Sequence, residues 1–423
     1  MIKFLHIADL HMDRSFEGIS DLHPSFAKKL HTVNDQVLNS IYEQAYQQQV
    51  DLVILAGDNF HQTTSSLATQ RVFTNFLTRL QNINIPVCLI FGNHDYYDSK
   101  RYWFDFPDNV TLWNTSEVQT HDFTSSSGER VTISGFSYTS PWLNEDMTTY
   151  FPKKQPSHSD YHIGIYHGNR GTLNKAEQQQ YAPFSLTSLL EKNYDYWALG
   201  HIHVPTILDA NNRVVYPGTP QGHNRKERQV KGVVLVELDH NESKLEWLPV
   251  NHVSYEKKVV SLKSCHDLSQ VQHMLITLSK EVFAGRRTEL LFLELSLTDH
   301  VHFSEELKAK LTSNELAEMI QQVVAIEELT ISKIALQHSK INQLADLKPI
   351  QLPIYPSQIE AIIQHFTDEE IFNDITSDLT NHKLFNELVT LDEELRNDVI
   401  EEMKTNFYQK IAPGGHCFEN NES

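Results

Sequence analysis

Five apolar runs in the first two hundred residues each break off on a short motif of Asp, Asn, His and Gly. No other feature restricts the possible folds as much. Residues 2–8 run into Asp9-Leu10-His11, and residues 51–56 into Gly57-Asp58-Asn59-Phe60-His61. Residues 86–91 run into Gly92-Asn93-His94-Asp95, residues 161–166 into His167-Gly168, and residues 194–199 into Gly200-His201-Ile202-His203. Short apolar runs of this kind read as buried strands. Between the first three lie stretches of helical period: 26–49, with Leu30, Val33, Val37, Leu38, Ile41 and Ala45 on one face, and 67–80. Strands alternating with helices imply β-α-β units and a mainly parallel sheet. The carboxyl ends of such strands line the ligand crevice, so five strand ends would deliver their polar groups to one place.

What collects there is oxygen and imidazole: Asp9, His11, Asp58, Asn93, His167, His201 and His203. Without thiolate, this set suits divalent ions such as Mn²⁺, Fe²⁺ or Zn²⁺. One ion takes about four to six ligands, some of them water, so seven protein groups suit two ions sharing one carboxylate. In Asp9-x-His11 and His201-x-His203 one residue separates the pair, which lets both side chains reach a single site from a strand end. Gly57, Gly92, Gly168 and Gly200 let the backbone come close to the ions. A lone Asp-x-His recurs by chance; five motifs in order, each after an apolar run, do not. His6, His23, His31, His121, His158 and His162 lack such partners and read as structural.

Composition narrows the setting. The chain has 423 residues, enough for two or three domains, and no stretch approaching a membrane span. Its start lacks the basic and apolar regions of an export signal, and its three cysteines lie far apart without zinc-ligand spacing. A cytoplasmic protein is the expectation. The net charge of −20 argues at first against a nucleic-acid partner, but residues 351–423 carry −11 of it and residues 1–240 only −6.

Further strands are expected at 131–136, 213–216 and 232–238. Around 250–260 the pattern changes to a helix at 266–285, a strand at 289–297, one or two helices at 305–323 and a strand at 329–336. The expected organisation is a catalytic domain at 1–250, a smaller α/β capping domain at 251–340 and a Pro-rich linker at 341–356. A helical acidic C-terminal region follows at 357–423, either a solvated face or a docking element for a partner.

The ordered motifs resemble the calcineurin-like metallophosphoesterase superfamily, and more closely its DNA-repair exonuclease branch, the SbcD-like and YhaO-like subunits. Gly57-Asp58-Asn59-Phe60-His61, Ile165-Tyr166-His167-Gly168, Tyr216-Pro217-Gly218-Thr219-Pro220 and the strand from Lys231 to Val236 are similar to that branch. Asn59 stands where Leu is common, a departure expected to be harmless. The resemblance covers residues 1–240 well, the cap weakly and the tail hardly at all. It implies an α/β four-layer sandwich and two divalent ions, with Mn²⁺ preferred. By the same resemblance Asp9, His11, Asp58 and His203 hold one ion, and Asp58, Asn93, His167 and His201 the other. His61 lies beside the site. The resemblance also implies DNA as substrate, an SMC-like coiled-coil ATPase subunit as partner, and a homodimer.

The chemistry expected of such a site is phosphodiester hydrolysis by in-line attack of a hydroxide shared between the ions. The leaving alkoxide needs a proton, for which His94 is the candidate; the alternative for His94 is orienting a ligand. A polyanion also needs cations. Arg14, Lys100, Arg101, Arg170 and Arg225 are the candidates, with Lys226 and Arg228 near them and Tyr96, Tyr97, Tyr102 and Trp103 as stacking groups. The aromatics are equally able to pack under their own loop. A phosphatase or small-nucleotide phosphodiesterase, and a non-catalytic DNA-binding or scaffold subunit, are the competing readings. Purple-phosphatase iron chemistry is disfavoured because Phe60, not Tyr, lies two residues beyond Asp58.

Overall fold

The computed structural model describes residues 1–17, 24–155, 157–171, 181–230, 232–239 and 243–337. The linker and the acidic C-terminal region lie outside the described residues, as do His23 and Lys231. The chain falls into two compact units. The larger takes in Met1–Val259, Cys265–Ser296 and Ala309–Ala335; the smaller includes Val260–Ser264 and Leu297–Lys308.

Two six-stranded sheets dominate the larger unit. In the first, β1 (Ile2–Ile7), β2 (Leu52–Ala56), β3 (Val87–Ile90) and β4 (Val110–Leu112) run parallel. Two antiparallel strands, β11 (Val233–Leu238) and β12 (Ser243–Leu248), extend it beyond β1, giving the order β12-β11-β1-β2-β3-β4. The second sheet has the order β5-β6-β7-β8-β10-β9. Its β6 (Arg130–Gly135), β7 (Tyr161–His167), β8 (Tyr196–Gly200) and β10 (Val214–Tyr216) are parallel, flanked by antiparallel β5 (Gln119–Thr124) and β9 (Thr206–Ile207). A third sheet joins β13 (Val253–Ser261), β14 (Leu290–Thr298) and β15 (Leu329–Leu336).

Side-chain alternation along the strands creates the layers. Leu5, Ile7, Val53, Leu55, Val87 and Leu89 pack against α2 (Val33–Gln48) and α3 (Leu67–Asn82). Their neighbours Phe4, Ile54, Ala56, Cys88 and Ile90 point the other way and meet Ile133, Ile163, Ile165 and Ala198 of the second sheet. That sheet's far face, with Tyr166, Trp197, Leu199 and Val214, is covered by α4 (Leu186–Leu190) and the turn Met147–Tyr150. Helices, sheet, sheet and helix make a four-layer α/β sandwich. Each fully buried aliphatic side chain contributes about 1.5–3 kcal/mol, so the two sheets are held rigidly and their strand ends with them.

The single helix read over 26–49 is two, α1 (Pro24–Leu30) and α2. The Thr32 hydroxyl and backbone N–H both donate to the Lys29 carbonyl at 2.8 and 3.0 Å, closing a tight turn that ends α1. Read as one or two helices, 305–323 is likewise two, α6 (Glu305–Leu311) and α7 (Asn314–Val324), after α5 (Leu268–Gly285), whose first turn the Asp267 carboxylate caps.

Candidate metal centre

The loops that leave β1 and β2 remain joined beyond the sheet. The N–H groups of Asp9, His11 and Met12 donate to the carbonyls of Gly57, Asp58 and Asn59 at 3.0–3.1 Å. The chain turns sharply to keep this pairing: Asp9, His11 and Asp58 have φ values of 54°, 44° and 51°. A left-handed backbone costs an L-residue roughly 1–2 kcal/mol, and here three such residues lie side by side. The β3 loop needs a glycine for a different reason. A Cβ on Gly92 would collide with the Asp58 carboxylate and the His167 ring.

Two of the resulting groups are Asp9, His11 and His203, and Asp58, His167 and His201, while a third, His11, His61 and His94, shares His11 with the first; the ligand atoms of each lie within 4.8 Å of one another. His11 Nε2 lies 3.0 Å from His203 Nε2. Asn93 Oδ1 lies 3.1 Å from both His167 Nε2 and His201 Nδ1. Asp58 Oδ2 stands between the groups, 3.7 Å from His11 Nε2 and 3.4 Å from His167 Nε2. Asp9 receives the His201 N–H at 3.1 Å on both carboxylate oxygens. Asp9, His11, Asp58 and His167 are buried, at 1% exposure or less, whereas His201 and His203 are half-buried.

The donor set fits a pair of cations. The His167 Nδ1–H donates to the Ala56 carbonyl at 2.9 Å, which leaves Nε2 with a lone pair aimed at Asn93 Oδ1 and Asp58 Oδ2, both acceptors. His203 is held likewise: its Nδ1–H donates to Glu227 at 2.7 Å, and its Nε2 faces another imidazole nitrogen. Lone pairs that converge need a proton or a cation between them. The facing ligand atoms stand 3.0–3.7 Å apart, close enough for a divalent cation to be held between them. Protons play that part when metal is absent. Burial works against charging His167, yet the Asp58 carboxylate beside it pushes its pKa up to about 9. Burial alone would raise Asp58, but the His167 and His11 imidazoles hold it well below the usual carboxylate range. Burial raises Asp9 to about 6 and lowers His201 to about 3.

His94 and His61 flank the first group. The His94 backbone N–H donates to Asp58 Oδ1 at 3.0 Å, and its Nδ1–H to the His61 carbonyl at 3.1 Å. The two rings stack at 4.7 Å, and each meets the His11 ring edge-on at about 5 Å.

The candidate DNA contacts scatter. Lys100, Arg170 and Arg225 are exposed. Arg14 is paired with Glu227 at 2.7 Å, Arg101 lies over the Tyr96 ring at 4.0 Å, and Arg228 is paired with Glu294. Tyr97 and Tyr102 stack at 5.9 Å and pack against Phe91 and Phe106, whereas Trp103 is 71% exposed.

Sequence reading missed three acids beside the site. Asp13 accepts the His61 and Gln62 N–H groups. Asp95 accepts from Gly92, from the Asn59 backbone and from the Asn59 amide at 2.7–2.9 Å, locking the β2 and β3 loops together. Glu227 holds His203 and Arg14. Only Asp95 had a visible signal, since it ends the third motif.

A two-sheet sandwich that gathers imidazoles and carboxylates at its strand ends in this way belongs among the metal-dependent hydrolases. Residues 2–205 match the family described as calcineurin-like phosphoesterase, and the chain belongs to this metallophosphoesterase family, whose members bind divalent metals. It is 32% identical over 277 residues to the uncharacterized metallophosphoesterase YhaO of Bacillus subtilis, covering 65% of this chain and 66% of that protein. To the DNA double-strand break repair protein Mre11 of Archaeoglobus fulgidus it is 24% identical over 242 residues, covering 53% and 52%. To the SbcD component of the SbcCD nuclease of Bacillus subtilis it is 26% identical over 306 residues, covering 65% and 75%. The match thus spans about two thirds of the first relative's length and about half of the second's.

Proposed function

We propose that this chain is a DNA phosphodiesterase, an exonuclease subunit working in DNA repair with two divalent ions, Mn²⁺ by preference. Asp9, His11, Asp58 and His203 hold one ion; Asp58, Asn93, His167 and His201 hold the other. The observation that carries the reading is Asp58 Oδ2, which lies between two groups of converging lone pairs. The similarity to a double-strand break repair protein and to a nuclease component supports DNA as substrate. When bound, the ions supply an activated nucleophile and neutralise phosphoryl charge.

The protein's own groups supply the rest. His94 gives its Nδ1–H to the His61 carbonyl, so Nε2 is the nitrogen left to take up a proton and pass it to the leaving alkoxide. His61, stacked on that ring, fixes its plane. Exposed Lys100, Arg170 and Arg225 remain able to meet phosphates; Arg14 and Arg101 would first have to leave their partners. An SMC-like ATPase subunit, a homodimer, and the division into a catalytic domain (1–250) and a capping domain (251–340) belong to the same proposal.

The test is a nuclease assay on 5′- and 3′-labelled single- and double-stranded DNA with Mn²⁺ or Mg²⁺. Wild type should degrade DNA. Asp58→Ala should abolish activity with the fold intact, and His94→Gln should keep metal while turnover falls about 10²–10⁴-fold. The engagement of Arg14, Arg101 and Arg228 in internal pairs favours one rival, a phosphodiesterase of small substrates. Turnover of bis-p-nitrophenyl phosphate with none on any DNA would establish that rival and overturn the DNA reading.

A further inference from the structure

We infer that Glu227 is a positioning residue of the metal centre, holding His203 so that Nε2 faces the ion shared with Asp9, His11 and Asp58. The inference rests on the dinuclear reading above and adds to it a residue outside the strand-end motifs. Glu227 is 9% exposed and sits in the short turn Arg225–Glu227, with Asn224 capping the turn's N–H groups. Its Oε1 lies 2.7 Å from His203 Nδ1 and 2.7 Å from an Arg14 guanidinium nitrogen, and its Oε2 receives the His223 N–H at 2.7 Å. A carboxylate can only accept, so Nδ1 carries the hydrogen and Nε2 the lone pair. That Nε2 is the atom 3.0 Å from His11 Nε2.

The same device, with weaker chemistry, holds the second group. There the His167 Nδ1–H is fixed by the Ala56 carbonyl, a neutral acceptor. An anionic acceptor makes the imidazole a stronger ligand as well as orienting it. The anion needs compensation, because Glu227 is buried. Arg14 supplies that charge. Arg14 therefore belongs to the support of His203, reaching it through the Glu227 oxygen that meets Nδ1.

The experiment uses the full chain, stripped with chelator and titrated with Mn²⁺ by calorimetry, alongside thermal melts in chelator. Wild type should take up two ions. Glu227→Gln, isosteric but uncharged, should bind one ion at wild-type affinity and the other about 10–100-fold more weakly. His203→Ala should lose that same ion. Glu227→Asp keeps the charge but withdraws it by a methylene, and should weaken the same ion even if Glu227→Gln fails to fold. Wild-type affinity for both ions in a folded Glu227→Gln or Glu227→Asp protein overturns the inference and leaves the dinuclear reading standing. Fewer than two ions in wild type overturns the dinuclear reading itself, before any variant is compared, and the inference falls with it.

Discussion

Single side chains in this protein are matched to their acceptors closely enough for pH and volume to probe them. His6 is fully buried between the two sheets, with Nδ1 accepting from the Tyr196 hydroxyl at 2.9 Å and Nε2–H donating to the Leu199 carbonyl at 3.1 Å. Both nitrogens are satisfied in the neutral form, and burial pushes the pKa down to about 3. The unfolded chain protonates this group near pH 6.5, whereas the folded chain does not. Its contribution is therefore complete above that pH, declines by up to about 1.4 kcal/mol per pH unit on acidification, and levels off below about pH 3. Urea titrations of chelated protein should show that slope in wild type and about one proton less of it in His6→Gln; equal slopes would refute the assignment. Gly92 makes a steric prediction. Gly92→Ala forces a methyl into Asp58 and His167, so it should lose most Mn²⁺ binding while keeping its circular dichroism, and unchanged metal affinity would contradict the packing. The seven strand-end side chains could be read from sequence because each follows an apolar run. Glu227 could not, because its partners His203 and Arg14 lie 24 and 213 positions away and no periodicity links them.

Secondary structure was readable wherever one face is apolar throughout. Strands β2, β3, β7 and β8, buried at every position, show as continuous runs, and β15 falls over Leu329–Leu336 as read. Strands β5, β12 and β13 did not show, because each alternates exposed polar with inward residues at an edge; Val253–Ser261 carries Glu256, Lys257 and Lys258. The division of α1 from α2 was likewise hidden, since Leu30 and Val33 keep the helical face while the Thr32 turn interrupts the backbone. The buried strands also carry the site. Ile54 lies in the layer between the sheets, four residues before Asp58. Ile54→Ala leaves a cavity there and should cost about 2–5 kcal/mol in chelated protein, read as a lower urea midpoint at unchanged slope. A loss under about 1 kcal/mol would mean that the layer collapses around the gap and does not hold the strand ends rigid.

For the whole molecule the governing quantity is charge. The chain carries −20, of which residues 351–423 contribute −11. A DNA-binding protein of that charge works against its own long-range field, and the opposition is strongest at low salt, where the Debye length is about 30 Å at 0.01 M against about 8 Å at 0.15 M. Removing residues 351–423 leaves −9 and retains every described residue. If the acidic segment only repels, the shortened chain should bind labelled duplex DNA more tightly than the full one at low salt, with the two converging at high salt. Bis-p-nitrophenyl phosphate turnover should be equal in both, as evidence that the metal centre is intact. If the segment serves as a docking element, the shortened chain should also fail to associate with a coiled-coil ATPase that the full chain retains. Equal DNA affinity at every salt concentration would show that local phosphate contacts alone govern binding, and that the charge of the segment is screened or turned away from the DNA path.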